Sequence, residues 1–205
     1  MSKKIMFNDK FGLTQAVLDG RKTMTRRIIP CPKTYKGNPV RGFRITGSKD
    51  IRLSVEICVY DESCDDFVPM YIQPKYEVGE VVAIAQSYNS FYDDSCDPRI
   101  FLSGEGWTNK MFVKSDLMPH HIEITGIKVE RLQDISDEDC LKEGIIHAYT
   151  DNNGTKIYHT PHTKRGYLST DVAQQAFADL IDKVSGKGTW EENPFVWMYE
   201  FALWD

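Results

Sequence analysis

The sequence predicts an α+β protein built around a barrel or a strongly bent sheet. Residues 51–60 and 122–130 each alternate apolar and polar side chains, which is typical of a strand with one buried face. Strand-like segments outnumber helical ones and do not alternate with them regularly, which argues against a parallel α/β fold. With 205 residues, 41% of them hydrophobic, the chain can bury one core, so we expect one domain over 1–205.

The first predicted elements lie on either side of a glycine. A short strand over Ile5–Asn8 and a helix over Phe11–Asp19 are expected, and Gly20 is placed to end that helix in the left-handed conformation. Met24–Ile29 then predicts a strand, which stops because a proline follows it. We expect residues 30–50 to form a polar loop.

Two further helices are indicated by capping signals and spacing. Ser136 followed by three acidic residues is a typical N-cap, and the helix that it begins is expected to end at Glu143. The last helix is predicted from Ser169 or Thr170, because apolar residues then recur at helical spacing as far as Val184.

The remaining segments predict strands and turns. Val81–Ala85 is an apolar run after a glycine turn and predicts a buried strand, whereas 89–110 is rich in loop-forming residues and predicts an excursion. Asn152–Gly154 predicts a hairpin turn. Pro194–Leu203 is expected to be the last strand, with its aromatic side chains supplying buried area.

Positive charge is concentrated in the first quarter of the chain. Residues 1–52 contain 13 Lys and Arg against three acids, and the rest contains 12 against 27. The balances are +10 and −15, which together give the net charge of −5. An acidic protein argues against an extended duplex-binding surface, whereas a basic segment within it indicates one localised anion-facing patch.

The octet Gly20–Arg27 is the strongest functional signal in the sequence. It reads Gly-Arg-Lys-Thr-Met-Thr-Arg-Arg, with four cations, two hydroxyls and no acid. Guanidinium, ammonium and hydroxyl donors together suit an anionic or polar planar ligand, such as a phosphate or a nucleobase. The alternative is a solvated edge strand, since Lys and Arg commonly protect sheet edges from further pairing.

The segment after the octet mixes aromatic rings with positive charge. Tyr35 and Phe43 lie among Lys33, Arg41 and Arg44. This mixture fits single-stranded nucleic acid, because bases stack on rings while phosphates pair with cations. A polar surface loop is the alternative, because it has the same composition.

The sequence predicts no metal, no cofactor and no membrane span. Five cysteines, an odd number without a Cys-x-x-Cys pair, favour reduced thiols and a cytoplasmic location over disulfides or a zinc ribbon. The five histidines have no cysteine or carboxylate at the spacing of a metal motif. No run of 18 apolar residues occurs, and the N-terminal residues lack the apolar run of a signal peptide.

Four motifs follow one another along the chain. In order they are Gly20-Arg-Lys-Thr-x-Thr-Arg-Arg27, Val78-Gly-Glu-Val-Val82, Val129-Glu-Arg-Leu-Gln-Asp-Ile-Ser136 with Glu143-Gly-Ile145, and Asn193-Pro-Phe-Val-Trp-Met-Tyr-Glu-Phe201. This order resembles the ASCH family, most closely the long form found in phages and bacterial genomes. The resemblance covers essentially the whole chain, with insertions at about 30–50, 89–110 and 147–167. The first and fourth motifs are the specific ones.

The resemblance implies a fold and a range of functions. The fold is a PUA-like mixed β-barrel of about five to seven strands, flanked by about three helices, with a cleft suited to RNA or modified nucleosides. Many members of the family are inferred RNA binders. A small bacterial branch hydrolyses the acyl amide of N4-acetylcytidine through a Lys, a Thr and a Glu. The implied partner is therefore RNA, or a nucleoside or nucleotide ligand.

Carried onto this sequence, the three hydrolytic residues are Lys22, Thr25 and Glu143. Thr25 is then the nucleophile toward the acyl carbon, a Lys22 with a lowered pKa takes its proton, and Glu143 orients or assists. Lys22 and Thr25 converge only if Gly20–Thr23 is still a turn, because a regular strand places them on opposite faces. The other acids of 130–143 are expected to form a mostly solvated helix face.

The residues expected to bind the ligand extend beyond the octet. Gln86 occupies a position where long-form relatives often carry Glu, and Ala85 occupies one where they often carry Arg. The predicted ligand-binding residues are Arg21, Thr23, Arg26, Arg27, Tyr35, Arg41 and Gln86.

Three functions fit the sequence. The favoured one is a module that binds RNA or a nucleotide through a basic cleft built around Gly20–Arg27. The second is an amidohydrolase that acts on an N4-acylated cytidine-type nucleoside. The third is a structural or interaction protein of a mobile element that keeps the fold without either role.

Overall fold

The computed structural model describes residues 3–30, 32–35, 37–46, 54–61, 66–93, 95–100, 104–161 and 168–204. Within these ranges the protein is α+β, as predicted, with strands in three sheets and four α-helices. The helices are α1 (Leu13–Leu18), α2 (Asp137–Lys142), α3 (Ala173–Ser185) and α4 (Thr189–Glu192). The strands are β1 (Lys4–Ile5), β2 (Met24–Ile28), β3 (Thr34–Tyr35), β4 (Asn38–Thr46), β5 (Ser54–Asp61), β6 (Asp66–Ile72), β7 (Val81–Ile84), β8 (His121–Arg131), β9 (Ile146–Thr150), β10 (Lys156–His159), β11 (Ser169–Thr170) and β12 (Phe195–Leu203).

The main sheet has five strands in the order β1-β7-β8-β12-β2. It is mixed, because β1 runs parallel to β7 while every other pair is antiparallel. No ladder joins the edge strands β1 and β2 in the described part of the chain, so the sheet is open there. The barrel is predicted to have about five to seven strands; the described ranges hold twelve strands, five of them in this sheet, and closure into a barrel stays a prediction.

The last strand lies inside this sheet. β12 pairs with β8 on one side and with β2 on the other. Its ladder with β8 shifts register between Glu200 and Phe201, opposite Gly126, where an added Cβ would approach the Glu200 carboxylate to 2.9 Å. The predicted burial of its aromatic residues is confirmed for Trp197, Tyr199 and Phe201.

The prediction of a polar loop over 30–50 is wrong. β3 and β4 occupy much of that segment and join β5 and β6 in a second, four-stranded antiparallel sheet. Proline, glycine and lysine in this segment gave a loop signal, but cross-strand pairing decides strand formation more than intrinsic preference does. The pairing runs from Val40 opposite Val59 to Thr46 opposite Ser54.

Most other expectations of local structure hold, but β1 covers Lys4–Ile5 rather than Ile5–Asn8, and β6 is a strand that the sequence does not predict. Ser136 caps α2 by accepting a hydrogen bond from the backbone N–H of Asp139, and the β9–β10 hairpin is formed as predicted. The segment 89–110 holds only 3₁₀ turns among its described residues. The last helix begins at Ala173 rather than at Ser169, because Ser169 and its neighbour pair with β10 instead.

The core lies between the main sheet and the helices α1, α2 and α3. It contains apolar residues from α1, from the strands β1, β7, β8 and β12, and from the buried face of α3. The hydrophobic stripe predicted for α3 is confirmed at Ala176, Phe177, Leu180 and Ile181. None of the described helices has the length and apolarity needed to cross a membrane.

Candidate functional site

The chain turns sharply between α1 and β2, and this turn places Lys22. Gly20 adopts a φ of +70°, which favours glycine because it carries no Cβ. The backbone N–H groups of Arg21 and Lys22 both donate to the carbonyl of Ala16 at 2.9 Å, so the chain folds back beneath α1. Because β2 begins only at Met24, the condition for Lys22 and Thr25 to converge is met.

Glu143 reaches the same place from the end of α2. It is the C-cap of that helix, and the next residue, Gly144, has a φ of +106° that lets the chain leave at once. The backbone N–H of Thr23 donates to the carbonyl of Lys142 at 3.0 Å, which ties the turn to the helix end. A carboxylate is unfavourable at a helix C-terminus, so Glu143 needs nearby cations.

Lys22 and Glu143 form a buried ion pair. The Lys22 Nζ lies 2.6 Å from Glu143 Oε2, and the two residues are 2% and 5% exposed. The same ammonium donates at 2.7 Å to the carbonyls of Glu143 and Met24, so all three of its N–H groups have acceptors. The sequence prediction that these two side chains meet is thus matched by direct contact.

Burial lowers the pKa of Lys22 below its ordinary value. Desolvation of the ammonium is the main cause, the charge and hydrogen bond of Glu143 oppose it, and the neighbouring cations Arg27 and Arg26 add to the lowering. A lysine in this state gives up its proton more readily than an exposed one. Cys140 of α2 has a thiol pKa that is raised to about 12, chiefly by burial, and it is therefore unreactive.

Arg26 is held by three carboxylates. Its Nη2 lies 2.6 Å from Glu130 Oε1 and 2.9 Å from Asp139 Oδ2, and its Nη1 lies 3.3 Å from Glu143 Oε1. The guanidinium is almost fully buried, as buried arginines paired with acids commonly are. The positive charge of Arg26 and Lys22 is therefore neutralised inside the protein.

Lys22, Thr25, Arg26, Arg27 and Glu143 line one cavity of about 450 Å³, which we call the Lys22 pocket. Its opposite wall is apolar and comes mainly from α3. This wall consists of Phe177, Leu180, Ile181 and Val184, with Leu13, Phe7, Met6 and Ile28 nearby.

Thr25 presents a free hydroxyl in this pocket. The residue is 5% exposed, and its hydroxyl has no hydrogen-bond partner among the residues that the structure describes. In particular, no hydrogen bond links it to Lys22 or to Glu143. A hydroxyl that lines a cavity and is bonded to no described group is available to a ligand.

Arg27 is the one octet cation of the pocket without a carboxylate partner among the described residues. Its Nη2 donates to the carbonyl of Met6 at 2.6 Å, and its guanidinium lies 5.7 Å from the ring centre of Phe7. Both partners are uncharged, so Arg27 contributes net positive charge at the pocket edge.

Arg21 and Thr23, two predicted ligand residues, do not line the pocket. Arg21 has a side chain that is 53% exposed and pairs with Asp19 at 2.8 Å. Thr23 serves the backbone instead: its N–H and carbonyl bond to Lys142 and Phe201.

The remaining predicted ligand residues lie elsewhere in the chain. Tyr35 is in β3 and Arg41 is in β4, and their side chains lie outside what the structure describes. Gln86 follows β7 and is 8% exposed, with a buried Oε1 that has no partner among described groups. It does not line the Lys22 pocket.

Glu130 and Asp139 pair with Arg26 beside the pocket, and the sequence does not predict them there. Both were expected on a solvated face, yet their side chains are only 9% and 15% exposed because they face Arg26. A signal existed for Glu130, which ends the alternating segment 122–130 rather than belonging to the helix. Its partner on β2 could not be identified without the fold.

No protein-family profile, curated protein or solved structure matches this chain. The ASCH resemblance therefore rests on the four motifs. Among the described residues, no group of three or more His, Cys, Asp or Glu side chains is arranged to hold a metal ion.

Proposed function

We propose that this chain is an ASCH-type domain that binds a nucleoside or nucleotide in the Lys22 pocket. The observation that carries the proposal is the joint presence of a buried Lys22–Glu143 pair, a free Thr25 hydroxyl and an apolar wall around about 450 Å³. Small-molecule sites typically combine such a volume and an apolar lining with a few placed polar groups.

The charge arrangement favours a single nucleotide over an extended RNA surface. Lys22 and Arg26 are occupied by carboxylates, so they cannot pair with a row of phosphates. A nucleobase is planar and has an apolar face with a polar edge, which matches the α3 wall on one side and the hydroxyl and ion pair on the other. An RNA partner would then enter as one unstacked nucleotide.

The same proposal includes the PUA-like barrel. Its support is the order of the four motifs together with a mixed sheet in which the octet strand β2 pairs with the final strand β12. Backbone amide exchange would test closure: protection of outward-facing amides on both β1 and β2 supports a closed barrel, and rapid exchange at both contradicts it.

Calorimetric titration with the common ribonucleosides tests binding. Val184 lines the pocket and is 39% exposed, so Val184→Trp is expected to fill the pocket, abolish binding and leave the fold intact. Val172, at the other end of α3, is 38% exposed and does not line it. Val172→Trp is the matched control and should bind as the parent does. Equal binding by both variants places the ligand elsewhere.

Hydrolysis of an N4-acylated cytidine is the second candidate, favoured by the free Thr25 hydroxyl beside a lysine of lowered pKa. The Thr25 oxygen attacks the acyl carbon and passes its proton to Lys22 in the neutral form. The amide C–N bond breaks, and the leaving amine takes a proton from the Lys22–Glu143 pair. Water then hydrolyses the threonyl ester.

Thr25→Val tests this chemistry without disturbing the fold, because no described protein group bonds to the lost hydroxyl. It should abolish release of cytidine from N4-acetylcytidine, Thr25→Ser should retain part of the activity, and Thr23→Val should retain all of it. Chromatography of the reaction measures each. A parent protein that binds the compound and releases no cytidine contradicts hydrolysis and leaves binding standing.

A further inference from the structure

A second cavity, of about 380 Å³, adjoins the Lys22 pocket. We call it the Lys75 pocket; it is lined by Lys4, Arg27, Lys75, Tyr76, Trp197 and Tyr199, with Met6, Ile28, Pro30, Ile72 and Gln73. Arg27, Met6 and Ile28 belong to both cavities. The two cavities therefore share a wall at the edge strand β2.

Among the residues that the structure describes, three cationic residues and no carboxylate line the Lys75 pocket. Glu80 is the acid whose charge acts on Tyr76 and Tyr199, but it lies outside the lining and pairs with Lys3 at 2.9 Å. Lys4 donates to the carbonyls of Met111 and Val113, which hold its ammonium without neutralising it.

The cations of this pocket act on one another. The pKa of Lys4 is lowered by burial and then by the charge of Lys75. The Lys75 ammonium lies 5.3 Å from the ring centre of Tyr76, a weak partner that leaves the charge in place. An anion between these groups would relieve their repulsion.

Tyr199 adds an unused donor at the same place. The residue is 1% exposed, and its hydroxyl oxygen accepts a hydrogen bond from the backbone N–H of Lys75 at 3.0 Å. No described residue accepts the proton of that hydroxyl. A buried hydroxyl proton without an acceptor is expected to find one in a ligand.

Strand register connects the two cavities along one face of the sheet. Tyr199 lies opposite Thr25, and Trp197 lies opposite Arg27. Side chains of directly opposed residues lie on the same face of an antiparallel pair. A ligand that contacts Thr25 in the first cavity can thus continue past Arg27 toward Tyr199 and Lys75.

We propose that the Lys75 pocket is the subsite for the phosphate of the nucleotide whose base or sugar occupies the Lys22 pocket. Arg27 and Lys75 supply the charge, and Tyr199 supplies a neutral donor. This inference rests on the proposed function, and it makes the ligand a nucleotide, free or at an RNA terminus, rather than a nucleoside.

Calorimetric titration of the full chain tests the phosphate subsite. The ligands are matched sets of three: each common ribonucleoside, its 5′-monophosphate and its 3′-monophosphate. We expect at least one monophosphate to bind about tenfold more tightly than its nucleoside. Lys75→Gln should remove that advantage and leave nucleoside affinity unchanged. The control is Lys156→Gln, which removes an exposed lysine on β10 that lines neither cavity.

The outcomes separate the two proposals. Nucleosides that bind as tightly as their monophosphates overturn the phosphate subsite and leave the Lys22 pocket standing. Inorganic phosphate that binds, and loses affinity in Lys75→Gln, supports the subsite even if no nucleoside binds, in which case the proposed function fails alone. No binding by any probe overturns both. Tighter binding of a short single-stranded RNA than of any monophosphate identifies the phosphate as one at an RNA terminus.

Discussion

The two adjoining cavities treat positive charge in opposite ways. In the Lys22 pocket, Lys22 and Arg26 are buried against Glu143, Glu130 and Asp139, so nearly every charge has a close partner. In the Lys75 pocket, the cations contact carbonyl oxygens and aromatic rings, and no acid from the described part of the chain lines the cavity.

The difference shows that a count of basic residues does not predict where the electric field is positive. The octet contains four cations, yet the two that are buried are neutralised by acids from distant parts of the chain. The unneutralised cavity is built from Lys4, Arg27 and Lys75, of which only Arg27 belongs to the octet. Pairing, rather than composition, decides which cation can meet a ligand.

The largest expected effect is the loss of stability when the buried pair is broken. Glu143→Gln leaves the Lys22 ammonium buried without its carboxylate and removes one partner of Arg26. We expect the free energy of unfolding to fall by about 3–5 kcal/mol, measured by denaturant titration.

Two further variants test whether that loss comes from breaking the buried ion pair. Glu138→Gln changes an exposed acid of α2 and should alter stability by less than about 0.5 kcal/mol. Lys22→Met combined with Glu143→Gln removes both partners of the pair and should be more stable than Glu143→Gln alone. Lys22→Met alone completes the comparison. If the loss of stability in the double variant equals the sum of the losses in the two single variants, the two residues are not directly coupled.

A smaller loss of folding stability is expected at alkaline pH, because Tyr76 is buried at the Lys75 pocket. Burial is the main cause that raises the pKa of Tyr76 to about 12, against 10.0 in the unfolded chain. Between these values the unfolded chain loses the phenol proton and the folded protein keeps it, so stability should fall as pH rises through this window. Denaturant titrations of the parent and of Tyr76→Phe measure it; an equal pH dependence for both proteins contradicts the prediction.

The smallest stability change is expected for Lys75→Gln. Because Lys75 is exposed and has no acid partner among the described residues, its loss breaks no ion pair there, and we expect a change below about 0.5 kcal/mol. The change in the free energy of unfolding is compared with the loss of about 3–5 kcal/mol expected for Glu143→Gln. A loss of several kcal/mol would mean that Lys75 is paired as firmly as Lys22.

The same variant should raise the pKa of Lys4. The charge of Lys75 is one cause of the lowered value, and burial, the larger cause, remains after the substitution. An NMR titration of the lysine side-chain resonances follows the change. An unaltered pKa for Lys4 would show that the two ammonium groups do not interact.

Much of the fold follows from local signals. The Ser136 cap, the β9–β10 turn and the apolar stripe of α3 were predicted because each depends on residues close together in sequence. The strands over 38–46 were missed, because their formation depends on pairing with β5 rather than on their own composition.

The sequence predicts the part of the candidate site that lies within the octet Gly20–Arg27. Lys22 and Thr25 are three residues apart in sequence. Gly20 predicts the turn that lets both residues line one cavity. Glu143 is predicted at the site only through the family resemblance. Glu130 and Asp139 are predicted on a mostly solvated helix face, whereas both pair with Arg26. The Lys75 pocket, the proposed phosphate subsite, brings together Lys4, Arg27, Lys75 and Tyr199, which are distant in sequence and share no local pattern.

The central place of β12 has a consequence for synthesis on the ribosome. Among the described residues, the octet strand has β12 as its one ladder neighbour, and β12 follows every other described element in the chain. Until residues 195–203 emerge, a nascent chain carries Lys22 and Arg26 without the scaffold that holds them, and such long-range pairing is slow to form. The proposed nucleotide binding therefore requires these residues, and we expect chains arrested before Phe195 to bind no nucleotide.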